Sequence, residues 1–396
     1  MIKNVDTSFE KLFHWVSSEN FKGWDPYDGL NSKIFQSTFL KKNWYTRLIW
    51  IQLFKRNPIN FRKVMLVNKS YNSKGLGLFL YSFSKLSQIN YTKIGLNQKD
   101  MITYIGYFSD LLEQTKNTSY SGLCWGYNFD WQNRVFFQPK NTPNIVVTSF
   151  VANGFFEAYK TTKVNRYLDT ALSSLNFIKN DLNRNKESDG FIFSYSPLDK
   201  SKVYNASLLG ARLLARGYYY TGEKEFLDLA RQAVTPIISK QNDDGSWIYG
   251  ESKTQKWIDS YHTGYNLECI YEYMKYTKDN LFKNSFDKGM NYYLNTFFFS
   301  DGKPKYYHNK LYPIDIHSPA QLIATLSKTG LMNKNINLAN RVLEWTINNM
   351  QDKRGYFYYQ IKRLISSKIP YMRWTQAWMF YAFTNYIYAK TIDNLD

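Results

Sequence analysis

The sequence predicts an all-α fold, an (α/α)6 toroid in which six helical hairpins close into a ring of inner and outer helices. Three observations predict it. An Asp-Gly turn in an aromatic loop recurs at Asp189-Gly190, Asp244-Gly245 and Asp301-Gly302, with Arg354-Gly355 as a diverged fourth copy, at separations of 55, 57 and 53 residues. Between the turns lie two apolar helical patterns separated by a short polar break. One helix near the start and one at the end lack a neighbour in sequence, and pairing them closes the ring. A period of this size marks a repeat whose unit cannot bury its own apolar face, and a closed ring needs no polar capping repeat.

In chain order, a helix is expected at about 31–55. Its apolar stretch Trp44 to Phe54 is interrupted by Arg47, which favours a buried helix over a membrane-surface one. Leu76 to Leu86 and Met101 to Leu112 make the next hairpin, and 117–145 is a long aromatic connector. Inner helices follow at about 146–160, 204–220, 260–276, 317–329 and 372–388. Outer helices fall at about 163–181, 223–240, 280–297 and 335–350. Leu208, Leu209, Leu213 and Leu214 recur at helical spacing, as do Leu227, Ala230, Ala233 and Val234. Thr221-Gly222-Glu223 breaks one pair: glycine closes a helix and an acid opens the next.

The uninterrupted repeat makes 1–396 one domain, with no Pro-rich or Gly/Ser-rich linker. The formal charge of +19 attracts anions such as acidic glycans, phosphates or nucleic acid. No run of five or more Lys/Arg and no recognition motif accompanies it, so nucleic acid is not an expected partner. Two cysteines, Cys124 and Cys269, exclude a disulfide framework and point to a reducing, cytoplasmic setting. The N-terminus shows no signal-peptide pattern, and no apolar stretch reaches a membrane-spanning length of about 18 residues. Aromatic residues make up 18 % of the chain, enough to pack helices and also to stack on sugar rings.

Gln241-Asn242-Asp243-Asp244-Gly245-Ser246-Trp247 resembles the Gln/Trp repeat of terpene cyclases and other toroid proteins. A broader resemblance rests on Trp24-Asp25-Pro26-Tyr27-Asp28-Gly29, Lys74-Gly75-Leu76-Gly77, Cys124-Trp125-Gly126-Tyr127, Trp257-Ile258-Asp259-Ser260-Tyr261-His262 and Tyr371-Met372-Arg373-Trp374. Together these resemble a toroid family, similar to six-hairpin glycosidases, encoded in prokaryotic surface-polysaccharide gene clusters. Its members often carry a delta-aminolevulinic acid dehydratase (porphobilinogen synthase) name. That enzyme is a (β/α)8 barrel, and this chain has no alternating βα pattern. The resemblance implies glycan metabolism and, as partners, other polysaccharide-assembly proteins.

Only four histidines occur, and His262 and His317 open successive inner helices 55 residues apart. Equal phase puts both on one rim, where histidine suits proton transfer near neutral pH. Asp259 and Asp315 precede them; each either orients an imidazole or caps a helix. A metal held by these four residues fits no strong metal motif, and no cofactor is expected. Trp125, Tyr127, Asp130, Trp131, Arg134, Lys256, Trp257, Arg373 and Trp374 fall in the same rim connections and supply stacking faces and hydrogen bonds for a sugar.

These residues point to a carbohydrate-active enzyme acting on an acidic oligosaccharide or polysaccharide, as a uronate epimerase or lyase. His262 is the expected base, Tyr261 or His317 the opposing acid, and Arg373, Arg134 or Lys256 the partner of the sugar carboxylate. Two alternatives stand beside it. One is a glycoside hydrolase using two carboxylates such as Asp130 and Asp259. The other is a non-catalytic glycan-binding or assembly protein.

Overall fold

The computed structural model describes residues 5–134 and 136–393. Helix α1 (Val5–Ser18) is followed by α2 (Lys33–Ser37) and α3 (Trp44–Arg56). Five hairpins come next: α4 (Ser73–Gln88) with α5 (Gln98–Thr115), α6 (Ile145–Thr162) with α7 (Asn165–Asn180), α8 (Tyr204–Thr221) with α9 (Lys224–Ser239), α10 (Ser260–Thr277) with α11 (Lys283–Phe297), and α12 (His317–Lys328) with α13 (Ile336–Met350). The last helix is α14 (Trp378–Asp393), entered through a π-helical turn at Met372–Ala377. Three two-stranded antiparallel ribbons lie in the connections.

The even-numbered helices from α4 to α14 pack in sequence, and α14 returns to α4, so the inner ring is closed. Each outer helix packs against the inner helix before it. The burial pattern shows why. Outer helix α9 buries one stripe, Phe226, Leu229, Ala230, Ala233, Val234 and Ile237, so it needs a single partner surface. Inner helix α8 is buried on every side from Tyr204 to Gly217, as a helix flanked by neighbours on both sides of a ring must be. Both cysteines are free and buried. No helix among the described residues is long and apolar enough to cross a membrane.

The ring closes differently from the sequence expectation. The helix expected at 31–55 is instead a broken segment. Ser32 accepts from the Phe35 N–H, and Asn43 accepts from the Tyr45 and Thr46 N–H groups, so two caps start separate helices. The partner of α14 is α1, whose Val5, Phe9, Leu12, Phe13 and Val16 form a buried stripe. Gln351 clamps α1 by bonding Ser8 through both its amide oxygen and nitrogen, while also holding Gly355 O. Gln241 makes the equivalent bonds to Gly245 O and Ser285 O on α11. The diverged fourth turn is therefore a true repeat unit whose outer helix comes from the chain's start.

The recurring glycines have a packing reason. Gly190, Gly245, Gly302 and Gly355 all have positive φ, and a Cβ on each would lie 2.1–2.5 Å from a backbone carbonyl of the following outer helix. Gly95 also has positive φ but nothing within 4 Å of the same position. Gly302→Ala, with Arg341 O at 2.2 Å, combines conformational strain with a clash against backbone. It is expected to lower the unfolding free energy by more than about 2 kcal/mol. Gly95→Ala carries the strain alone and should cost about 1 kcal/mol. Chemical denaturation of both variants checks this, and equal losses would remove the close-approach argument.

Segment 28–56 builds a separate small core of Leu30, Phe35 and Ile51 against Trp131 and Phe137. Arg47 Nε donates to Gln132 Oε1 at 3.0 Å, and Lys362 Nζ donates to Arg56 O at 2.7 Å. The segment is thereby fastened across one mouth of the ring.

Candidate active site

The first turns of the inner helices converge on that mouth and enclose a cavity of about 400 Å³. Lys74 from α4, Val146 from α6, Asn205 from α8, Tyr261 and His262 from α10, His317 from α12, and Arg373 and Trp374 from the π-helical turn all line it. Helix N-termini carry partial positive charge, so the scaffold itself favours negative charge here. The lining cations are Lys55, Arg56, Arg134 and Arg373, beside the buried amine of Lys74; among the described residues no Asp or Glu belongs to the lining.

Asp259 caps α10 by accepting from the His262 N–H at 3.0 Å. Its other oxygen lies 2.7 Å from His262 Nδ1 and accepts from Trp257 Nε1 at 2.8 Å. A carboxylate oxygen accepts, so the hydrogen between the two groups sits on Nδ1, and in the neutral imidazole Nε2 keeps its lone pair. Cap and orienter, offered as alternatives by the sequence, are here one residue. Asp259 itself is buried behind the imidazole.

Tyr261 touches both histidines: its ring centre is 4.0 Å from that of His262 and 4.5 Å from that of His317, stacked on the latter. Burial pushes the Tyr261 phenol well above its usual range, so it is a neutral hydrogen-bond donor at physiological pH. His317 Nε2 is 2.8 Å from Tyr265 OH, and its Nδ1 has no hydrogen-bond partner. Burial, with Lys74 and Arg373 nearby, holds this imidazole well below the ordinary histidine range, which makes it neutral.

Tyr127, Trp131, Arg134, Trp257 and Trp374 also line the cavity. Trp257 stacks on Tyr249 at 4.5 Å, and Tyr127 OH lies 3.2 Å from Tyr195 OH. Arg373 is nearly buried and makes two bonds to Asp25, at 2.6 and 2.8 Å, so its charge already has a partner. Arg134 is exposed at the mouth.

Four expected site residues lie elsewhere. Trp125 is fully buried and donates to Leu112 O on α5, as Trp247 donates to Ile237 O on α9; it is a repeat-packing residue. Asp130 accepts from the Lys140 N–H in the connector and does not reach the cavity lining, so it forms no carboxylate pair with Asp259. Lys256 is exposed and outside the lining. Asp315 does not orient the His317 ring. It accepts from the His317 backbone N–H, from Gln360 and from Trp374 Nε1, standing behind the indole.

Burial raises the Asp315 pKa from 3.8 to about 6, despite those three donors. A raised folded-state pKa contributes stability that is complete below 3.8 and is lost as pH rises through about 6. Asp315→Asn should therefore gain stability relative to the parent chain between pH 4 and 7. Paired urea titrations at the two pH values measure this, and a constant difference would sink it.

Sequence reasoning missed Lys74 and Tyr265. Lys74 Nζ lies 3.3 Å from Tyr265 OH and 4.2 Å from the centre of the Phe150 ring. Burial, with Arg373 beside it, lowers its amine well below the usual lysine range. Lys74 stands in the first turn of its inner helix, as His262 and His317 do in theirs, but the sequence expectation began that helix only at Leu76. Tyr265 sits one turn deeper, where phase gives no clue.

No family model and no curated protein matches the chain. Solved structures are similar in fold. A cellobiose 2-epimerase from Bacillus thermoamylovorans is 12 % identical over 81 % of this chain and 88 % of its own, with a TM-score of 0.62. A family 76 glycoside hydrolase, an α-mannanase from Bacteroides thetaiotaomicron, is 15 % identical over 83 % and 89 %, with a TM-score of 0.61. A D-mannose isomerase is 12 % identical over 79 % and 87 %, with a TM-score of 0.57. At such identities the likeness establishes the toroid fold.

Proposed function

We propose that this chain is a carbohydrate-active enzyme that moves a proton at carbon in an anionic saccharide, epimerising a uronic acid or eliminating across it. The observation that carries the reading is His262, held by Asp259 through Nδ1, on the wall of a cationic cavity whose lining, among the described residues, contains no carboxylate. Nε2 takes the proton from the carbon beside the sugar carboxylate as the C–H electrons move into that group. Asp259 stabilises the imidazolium formed, while Lys55, Arg56 and Arg134 offset the charge that builds on the carboxylate. In epimerisation the Tyr261 hydroxyl returns a hydrogen to the opposite face of that carbon. In elimination it protonates the departing oxygen on the neighbouring carbon as that C–O bond breaks. Neutral His317, stacked on Tyr261, orders its ring.

Two fold neighbours named as an epimerase and an isomerase are compatible with this chemistry. Hydrolysis by two carboxylates needs both on the cavity wall about 5–10 Å apart, an arrangement that Asp130 and Asp259 do not form. A role in cytoplasmic polysaccharide biosynthesis, with the chain working as one unit beside other assembly proteins, is part of the same proposal and rests on the sequence resemblance. The test is a thermal-shift screen of acidic oligosaccharides, followed by incubation of the stabilising ones in heavy water. Deuterium at the carbon next to the carboxylate supports the reading. Tight binding without exchange, unsaturated product or hydrolysis overturns it in favour of a non-catalytic glycan-binding protein.

A further inference from the structure

The opposite mouth of the ring, where all six inner helices end, holds a second cavity of about 570 Å³. The rings of Phe150, Tyr265 and Trp378, with centres 5.4–5.6 Å apart, stand between it and the first cavity. Its floor contains Lys85, Arg216 and Lys328, and its rim contains Lys160, Lys163, Lys275 and Lys278. Glu268 stands behind the lining, 3.3 Å from Lys328, and among the described lining residues the carboxylates that face these seven cations are Glu157 and Glu272. Both are engaged: Glu157 with Lys85 and Arg216, Glu272 with Arg212 and Lys328.

The cationic excess has features of a built site. Lys328 is almost fully buried, and its amine has ion-pair contacts at 3.3 and 3.7 Å but no hydrogen-bond partner. Arg216 Nε is likewise buried without one. The four rim lysines have no carboxylate within 4 Å among the described residues. Lys163 and Lys278 both adopt φ of 62°, the left-handed cap that the equivalent Gly222 fills at 74°. A side chain there costs about 1 kcal/mol, yet two repeats place a lysine at this position on the same rim. Helix C-terminal carbonyls attract some of this charge, but that effect fades within the last turn. Burial, with Lys85 and Lys160 nearby, holds the Lys275 amine below the usual lysine range.

We propose that this mouth is a second binding site, for a multivalent oxyanion of the phosphate or sulfate class. Such an anion lowers the repulsion among the rim lysines and gives the buried Nε of Arg216 an acceptor. Tyr276 and Tyr388 add hydroxyl donors to the walls.

Calorimetric titration of the full chain with tripolyphosphate tests the site. Lys160→Gln/Lys275→Gln/Lys278→Gln, all rim changes that leave the buried network intact, should raise Kd by about tenfold or more. Lys55→Gln/Arg134→Gln at the other mouth, and Lys33→Gln/Lys353→Gln on the outer surface, should leave it within about twofold. The proposal is overturned if the other-mouth variant carries the loss, if surface and rim variants lose equally, or if the parent chain shows no binding.

Discussion

His262→Ala is expected to cut heavy-water exchange into an acidic saccharide substrate by about 10²–10⁴-fold, the usual worth of a positioned general base. The fold should survive. The Asp259 cap accepts from the His262 backbone N–H, which alanine retains, and the imidazole stands at the cavity wall outside the main core. Circular dichroism and melting temperature close to the parent's would separate lost chemistry from lost structure. Asp259→Asn should reduce exchange as well, because an amide holds the wrong tautomer and cannot stabilise the imidazolium. It should also leave the substrate's apparent affinity nearly unchanged, since Asp259 sits behind the ring. Exchange that persists in His262→Ala removes this residue as the base and turns attention to His317.

Asp25→Ala is expected to lower the unfolding free energy by about 3–5 kcal/mol, because it leaves the Arg373 guanidinium buried and unpaired. Arg373→Met should cost less, since a similarly shaped apolar side chain strands only the carboxylate. The double variant should recover much of the Asp25→Ala loss, and a double-variant cycle reads that recovery directly. The pair links residues 348 apart and ties the loop after α1 to the π-helical turn, so loss of the pair loosens the closure of the ring. Additive losses would mean that the guanidinium is solvated through the cavity. In that case Arg373, rather than Arg134 or Lys55, would be the cation most available to a sugar carboxylate.

The period near 55 residues was enough to predict a ring, the alternation of inner and outer helices and the rim on which His262, His317, Trp257 and Trp374 meet, but not which helix closes it. Local chemistry repeats, and equal phase in a ring means equal height. The cap and orienter roles of Asp259 were also legible, since three residues along a helix start bring both backbone and imidazole within reach of one carboxylate. Other features depended on contacts between distant segments, which no local pattern encodes. No helix was expected at α1, although its apolar residues stand at helical spacing, and its pairing with α14 spans nearly the whole chain. Trp125 and Trp257 look alike in sequence. The first points into the outer helix and the second into the cavity, a difference set by which neighbour each loop meets. Lys74 becomes a buried amine only when Phe150, Tyr265 and Trp378 surround it. The sequence by itself determined the repeat, its hand-over from helix to helix and the chemistry available at each rim position. Only the tertiary structure decided which of those side chains share one desolvated space, because desolvation and charge pairing are set by neighbours in space rather than along the chain.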